Sequence, residues 1–153
     1  MRKRNLTHLF FSIQKLIIIL ILICPFENTF AQHQIKVVIA GLNHDHINGI
    51  LSQYDKGLVN ITGIAEPDKQ LQEKYKRLYH LPDSLFSTDL KKLVLQKKPD
   101  AVLGYNAAAQ HLQIVEICAP LGISVMVEKP LAANLAQAKQ IEMLANKYHI
   151  KVL

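Results

Sequence analysis

The chain has 153 residues, 50% of them hydrophobic, with 18 Lys/Arg against 12 Asp/Glu and a formal net charge of +6. Four of the basic residues and one acidic residue fall in the first 31 positions, so residues 32–153 carry 14 against 11, a balance of only +3. Lys91-Lys92 and Lys97-Lys98 flank a predicted helix with no aromatic residue interleaved, which fits a solvated face and argues against a nucleic-acid surface.

Residues 1–31 are a different material from the rest. Arg2, Lys3 and Arg4 make a basic start, Leu16–Cys24 (LIIILILIC) is an apolar run, and Thr29-Phe30-Ala31 places small residues at the −3 and −1 positions before Gln32. That is the layout of a secretory signal peptide. It predicts export to the periplasm or the extracellular space by a Sec-type route, with membrane contact only through the leader. The alternative, a retained membrane anchor, needs about 20 apolar residues, and Gln14 and Lys15 interrupt any longer run. No Arg-Arg pair marks a twin-arginine signal. Cleavage leaves 122 residues, Gln32–Leu153, enough for one domain of ordinary size. Cys118 is then the one remaining cysteine, which excludes an intramolecular disulfide and a cysteine-based metal site. Its place in an apolar helix pattern predicts a buried packing thiol.

After the leader, strands and helices alternate. Ile35–Ala40 (IKVVIA) is the β-branched, nearly continuous apolar run of a strand covered on both faces. Ile47, Ile50 and Leu51 recur at helical spacing until Gly57. Asn60–Ala65 is a second strand, and Asp68–Tyr79 a Lys-rich helix with Leu71, Tyr75 and Leu78 on its apolar side. A connecting stretch, LPDSLFSTD, leads to a short helix over Asp89–Gln96, which Pro99-Asp100 stops. Ala101–Tyr105 is the third strand, Ala108–Leu121 a helix, Ser124–Glu128 the fourth strand and Asn134–Tyr148 a helix with Asn134 as cap. Ile150–Leu153 reads as the start of a further strand. This order predicts an α/β fold, a Rossmann-like doubly wound parallel sheet with helices on both faces.

In such a fold, ligands sit at the carboxyl ends of the strands, where helix N-termini offer free N–H groups. The turn after the first strand, IAGLNHDHING, carries Gly41 at the tight-turn position. Asn43 and His46 stand where a dinucleotide-binding turn usually has further glycines. Glu66 ends the second strand 25 residues after Gly41, close to the spacing of an acid that binds an adenosine ribose. Pro67-Asp68 follows it rather than arginine, which favours NAD over NADP.

The fourth strand ends in Val127-Glu128-Lys129-Pro130-Leu131. Upstream, residues 100–111 read D-A-V-L-G-Y-N-A-A-A-Q-H. Together these resemble the nucleotide-binding half of the Gfo/Idh/MocA oxidoreductases, with their strand ending in Glu-Lys-Pro and their Asp-Ala-Val-x-x-x-Thr-Pro-x-x-x-His segment. Asn106-Ala107 replaces Thr-Pro, while His111 keeps its place. The resemblance covers Ile35–Leu153. It implies that Gly41, Asn43 and His44 line the pyrophosphate through backbone groups, with His46 in the same turn, and that Glu66 holds the ribose. It places Asn106 and His111 at the border of the dinucleotide. Glu128, Lys129 and Pro130 would lie beside the nicotinamide, with Lys129 as the catalytic group reaching a substrate oxygen and Pro130 fixing its direction, through a cis peptide if need be. The implied activity is hydride transfer on a sugar, polyol or related carbohydrate, or cleavage of a glycosidic bond with transient use of NAD.

Two other readings stand beside this one. Members of the family carry a second, C-terminal substrate domain, so the sequence is expected to be the incomplete cofactor-binding part of a longer enzyme; the alternative is a non-catalytic nucleotide-binding remnant or module. His44-Asp45-His46 after a strand also invites a metal-dependent hydrolase of the amidohydrolase type, whose ligands would include His44 and His46. That barrel needs about 250 residues, and His80 and His149 lie at helix ends rather than where further ligands belong, so no metal site is expected.

Overall fold

The computed structural model describes residues 34–153; the expected leader lies outside them. The strands are β1 (Lys36–Ala40), β2 (Asn60–Ala65), β3 (Phe86–Ser87), β4 (Ala101–Gly104) and β5 (Ser124–Val127), and the helices are α1 (Ile47–Asp55), α2 (Lys69–Tyr79), α3 (Leu90–Lys97), α4 (His111–Cys118) and α5 (Leu135–Tyr148). All strand pairs are parallel, in the order β3-β2-β1-β4-β5. The chain therefore leaves β1 in one direction to build β2 and β3, then returns past β1 to build β4 and β5. This is the doubly wound arrangement expected, with its switch point between β1 and β4.

Alternation along β1 explains the two layers. Val37 and Ile39 pack with Leu42, Ile47, Leu51, Ile64 and Tyr75 in one core, while Val38 and Ala40 pack with Val94, Val115, Cys118 and Ile141 in the other. A strand with helices on both sides needs apolar residues at consecutive positions, as IKVVIA has. Cys118 is fully buried in the second core, as expected, and burial pushes its thiol up to about 12.

Three helices start at a side chain that caps them, as expected of Asn134. Asp68 accepts from the Gln70 and Leu71 N–H groups, Asp89 from Lys92 N–H and Asn134 from Gln137 N–H. His80 and His149 both take left-handed backbone at helix C-termini. Three details differ from the sequence reading. The linking stretch contains β3, which pairs Ile64 with Phe86 and Ala65 with Ser87 at the sheet edge. The Ala108–Leu121 segment is one α-helix flanked by 3-10 turns, with Pro120 in the second. On α2, Gln72 and Tyr75 are buried and Leu78 is 56% exposed, so the inward face is rotated from the one expected. Beyond α5, Val152 forms a parallel bridge with Val125, so the final residues do begin another strand pairing. Among the described residues, no helix is long and apolar enough to cross a membrane.

Candidate functional site

The β1–α1 turn is stitched to both neighbouring strands. Gly41 N–H donates to Ala65 O at 2.8 Å, Tyr105 N–H to Ala40 O at 2.8 Å, and His44 N–H to Tyr105 O at 3.1 Å. Gly41 has φ +85°, and a Cβ built there would lie 2.6 Å from Asn106 Cβ and 3.0 Å from Asn106 Cα and N. Only glycine satisfies both the left-handed backbone and that close approach. The sequence assigned Gly41 to the tight turn; the crossing with Asn106 is a second reason for it.

Glu66 is only 4% exposed. One carboxylate oxygen accepts from Leu42 N–H at 2.8 Å and the other from Asp68 N–H at 2.8 Å. The carboxylate thus ties the β1 turn to the start of α2, and Gln72 Nε2 donates to the Glu66 carbonyl from beneath. Each carboxylate oxygen keeps a further lone pair for a ligand. Gln72 was missed in the sequence because an amide in a Lys-rich helix reads as a solvated position.

Gly41, Asn43, Glu66 and Asn106 line a single open cleft of about 550 Å³ at the carboxyl ends of β1, β2 and β4. Pro67 and Leu71 form its wall beside Glu66, and Gln110 and Ile114 its wall beside Asn106. The Asn43 N–H has no hydrogen-bond partner among the described residues. Asn106 Oδ1 is buried and unpartnered. Thr88 and Asp89, not expected from the sequence, also border the cleft; the signal available was the Asp cap before the apolar start of α3.

The remaining expected site residues lie elsewhere. His111 is buried behind the cleft wall rather than in it. Its Nδ1 lies 3.1 Å from Leu131 O and its Nε2 3.2 Å from Asn106 O, so the ring joins the β4 loop to the segment after Pro130. Its influence on a ligand in the cleft would pass through Asn106. His44, His46 and Glu128 form a separate cluster. His46 Nδ1 is 2.8 Å from Glu128 Oε1 and His44 Nδ1 is 3.9 Å from the same oxygen, with the two rings edge to face at 4.6 Å. Burial pushes the Glu128 carboxyl up, but the His46 hydrogen bond, the charges of both imidazoles and the Lys129 N–H outweigh it and hold the group below its ordinary range. Burial, and then the Glu128 charge, raises Tyr105. Lys129 is exposed, and its ammonium makes no ion pair or hydrogen bond among the described residues. The Lys129-Pro130 peptide is cis, as the role given to Pro130 allowed.

Known proteins share this architecture. The chain is similar to trans-1,2-dihydrobenzene-1,2-diol dehydrogenases from Xenopus laevis (27% identity over 92 residues, 59% of this chain and 27% of that protein) and Mus musculus (25% over 107 residues, 69% and 31%). Among solved structures it resembles a dehydrogenase from Clostridium difficile at 25% identity and TM-score 0.64, covering 78% of this chain and 38% of the other. An oxidoreductase from Agrobacterium radiobacter, solved with NAD+, L-tartaric acid and magnesium, shares the fold at TM-score 0.68 and 16% identity, covering 78% and 34%. The chain therefore spans well under half the length of these relatives. Residues 35–153 match the oxidoreductase family with the NAD-binding Rossmann fold, and the chain belongs to that family, the Gfo/Idh/MocA proteins.

Proposed function

We propose that this chain is the NAD-binding part of an exported oxidoreductase that acts on a sugar, polyol or related carbohydrate by hydride transfer. The observation that carries the cofactor reading is the Glu66 carboxylate, held at the end of β2 in the same cleft as Gly41 and Asn43. The cleft residues fit the dinucleotide. Gly41 leaves room for close backbone approach, and the free Asn43 N–H suits a pyrophosphate oxygen. The unpartnered Asn106 Oδ1 suits an amide or hydroxyl donor. Bound NAD supplies the acceptor or donor of hydride.

Glu66 sets the preference for NAD over NADP. A buried carboxylate accepts from a ribose hydroxyl but repels a 2′-phosphate. Lys129, next to Glu128 and unengaged by other side chains, donates a hydrogen bond to the substrate oxygen on the carbon that gains or loses hydride. Export rests on the basic start, the apolar run Leu16–Cys24 and the small residues before Gln32. The substrate class rests on the family and on the diol dehydrogenases to which the chain is similar.

Isothermal titration of the chain with NAD+ and NADP+ tests the cofactor preference. Wild type should bind NAD+ more tightly, and Glu66→Gln, which keeps the shape and removes the charge, should narrow the difference. Equal affinity for both nucleotides in wild type would refute the Glu66 assignment.

A further inference from the structure

We propose that His44, His46 and Glu128 form a binding site for a zinc-class divalent cation, beside the cleft lined by Gly41, Asn43, Glu66 and Asn106. The sequence offered only two imidazoles here, from one turn. The fold adds a carboxylate from 82 positions further along the chain. One donor atom from each of the three residues lies within 4.8 Å of the others.

The separations suit one ion. Ligand atoms at about 2.0–2.1 Å from a tetrahedral zinc stand about 3.3 Å apart. The two Nδ1-to-Oε1 distances, 2.8 and 3.9 Å, bracket that value. His44 and His46 are 35% and 57% exposed, so both rings have room to close the difference by side-chain rotation. Glu128 is 14% exposed and has no lysine or arginine partner among the described residues. Among the described residues its only cationic partners are imidazoles, which carry charge only when protonated.

The His46 backbone N–H lies 3.4 Å from His44 Nδ1, and His46 Nδ1 meets one Glu128 oxygen, so the three side chains already converge on one another. A divalent cation would accept from all three donors at once, displacing to solvent any proton on the ligating nitrogens. Two imidazoles and one carboxylate leave a position for water or for a hydroxyl or carboxylate oxygen of a small ligand. Because Glu128 directly precedes Lys129, a ligand oxygen held there would lie on the same segment as the proposed substrate contact.

The test titrates the full, tag-free chain, stripped of metal, with Co2+ at neutral pH, reads the visible absorption of the bound ion, and then displaces it with Zn2+. One equivalent should bind, with bands of a four- or five-coordinate ion. His46→Gln and Glu128→Gln should each weaken binding by more than about 100-fold, beyond the loss typical of outer-shell changes. A double variant, His80→Asn with His149→Asn, should bind as wild type. Circular dichroism checks that each variant is folded. His46 makes no side-chain cap to α1, so its variant retains the fold even if the Glu128 change does not. Absence of a Co2+ spectrum in wild type, a spectrum that survives His46→Gln, or its loss in the His80/His149 variant would each overturn the proposal.

Discussion

Replacing Gly41 with alanine separates the two constraints on the β1–α1 turn. At φ +85° any L residue is strained, at about 1–2 kcal/mol. The new Cβ would also meet Asn106 Cβ at 2.6 Å, where carbon atoms rest at about 3.5–4.0 Å. Two of the three nearest atoms belong to the Asn106 backbone, so relief requires moving the β4 loop, and overpacking of that kind costs about 1–3 kcal/mol. The total, about 2–5 kcal/mol, is a large share of the ~5–15 kcal/mol that stabilises an ordinary domain. Gly57 provides the control. It has φ +68° with nothing within 4 Å of its Cβ position, so Gly57→Ala carries only the backbone strain of about 1–2 kcal/mol. The loss of unfolded-state freedom on gaining a Cβ is common to both variants and cancels in the comparison. Urea denaturation should therefore place Gly41→Ala about 1–3 kcal/mol below Gly57→Ala, the steric share alone. Indistinguishable midpoints, with equal slopes, would refute the crossing with Asn106 as the reason for Gly41.

Two further outcomes follow from titratable groups. Burial holds the Cys118 thiol protonated up to about 12, and the thiolate is the reactive form; alkylation mapped to the Cys118 peptide should be negligible at pH 8 in the native chain and rapid in urea, and fast native labelling would contradict the packing described. Glu128 is held below its ordinary value in the fold, so its contribution to stability is fully present above the unfolded value of about 4.3 and is lost as pH falls through the lower folded value. Glu128→Gln should flatten that part of the stability-against-pH curve, and a variant curve parallel to wild type there would remove the His46–Glu128 contact as its source.

What the sequence made legible depends on the range over which each feature is determined. The strands β1, β2, β4 and β5 and the capped helices follow from local pattern: consecutive apolar residues where helices cover both faces, and Asp68, Asp89 and Asn134 where a helix begins. β3 escaped because a two-residue strand has no period of its own and exists only by pairing with β2. Leu78 was misplaced because apolar spacing on α2 was read without knowing that Gln72 must reach the Glu66 carbonyl. His111 was placed by motif position at the cofactor's border, whereas its two ring nitrogens engage carbonyls behind the wall. The approach of His46 to Glu128 is a product of topology, bringing together residues 82 positions apart, and no local spacing encodes it.

That topology also divides one short turn between two tasks. Gly41 and Asn43 line the cleft with Glu66 and Asn106, while His44 and His46 turn their rings toward Glu128. The division falls between adjacent residues, Asn43 and His44. His44 N–H is already given to Tyr105 O, so its backbone is fixed by β4 while its ring is left for the cluster. Asn43 has the reverse character, with an exposed side chain and a free N–H. Glycine at positions 43 and 46 would favour close backbone approach but would forfeit the imidazole of His46. The departure at position 46 thus makes physical sense as the supply of a side chain to the proposed cation site. A chain that used this turn for a dinucleotide alone would have no need of both histidines.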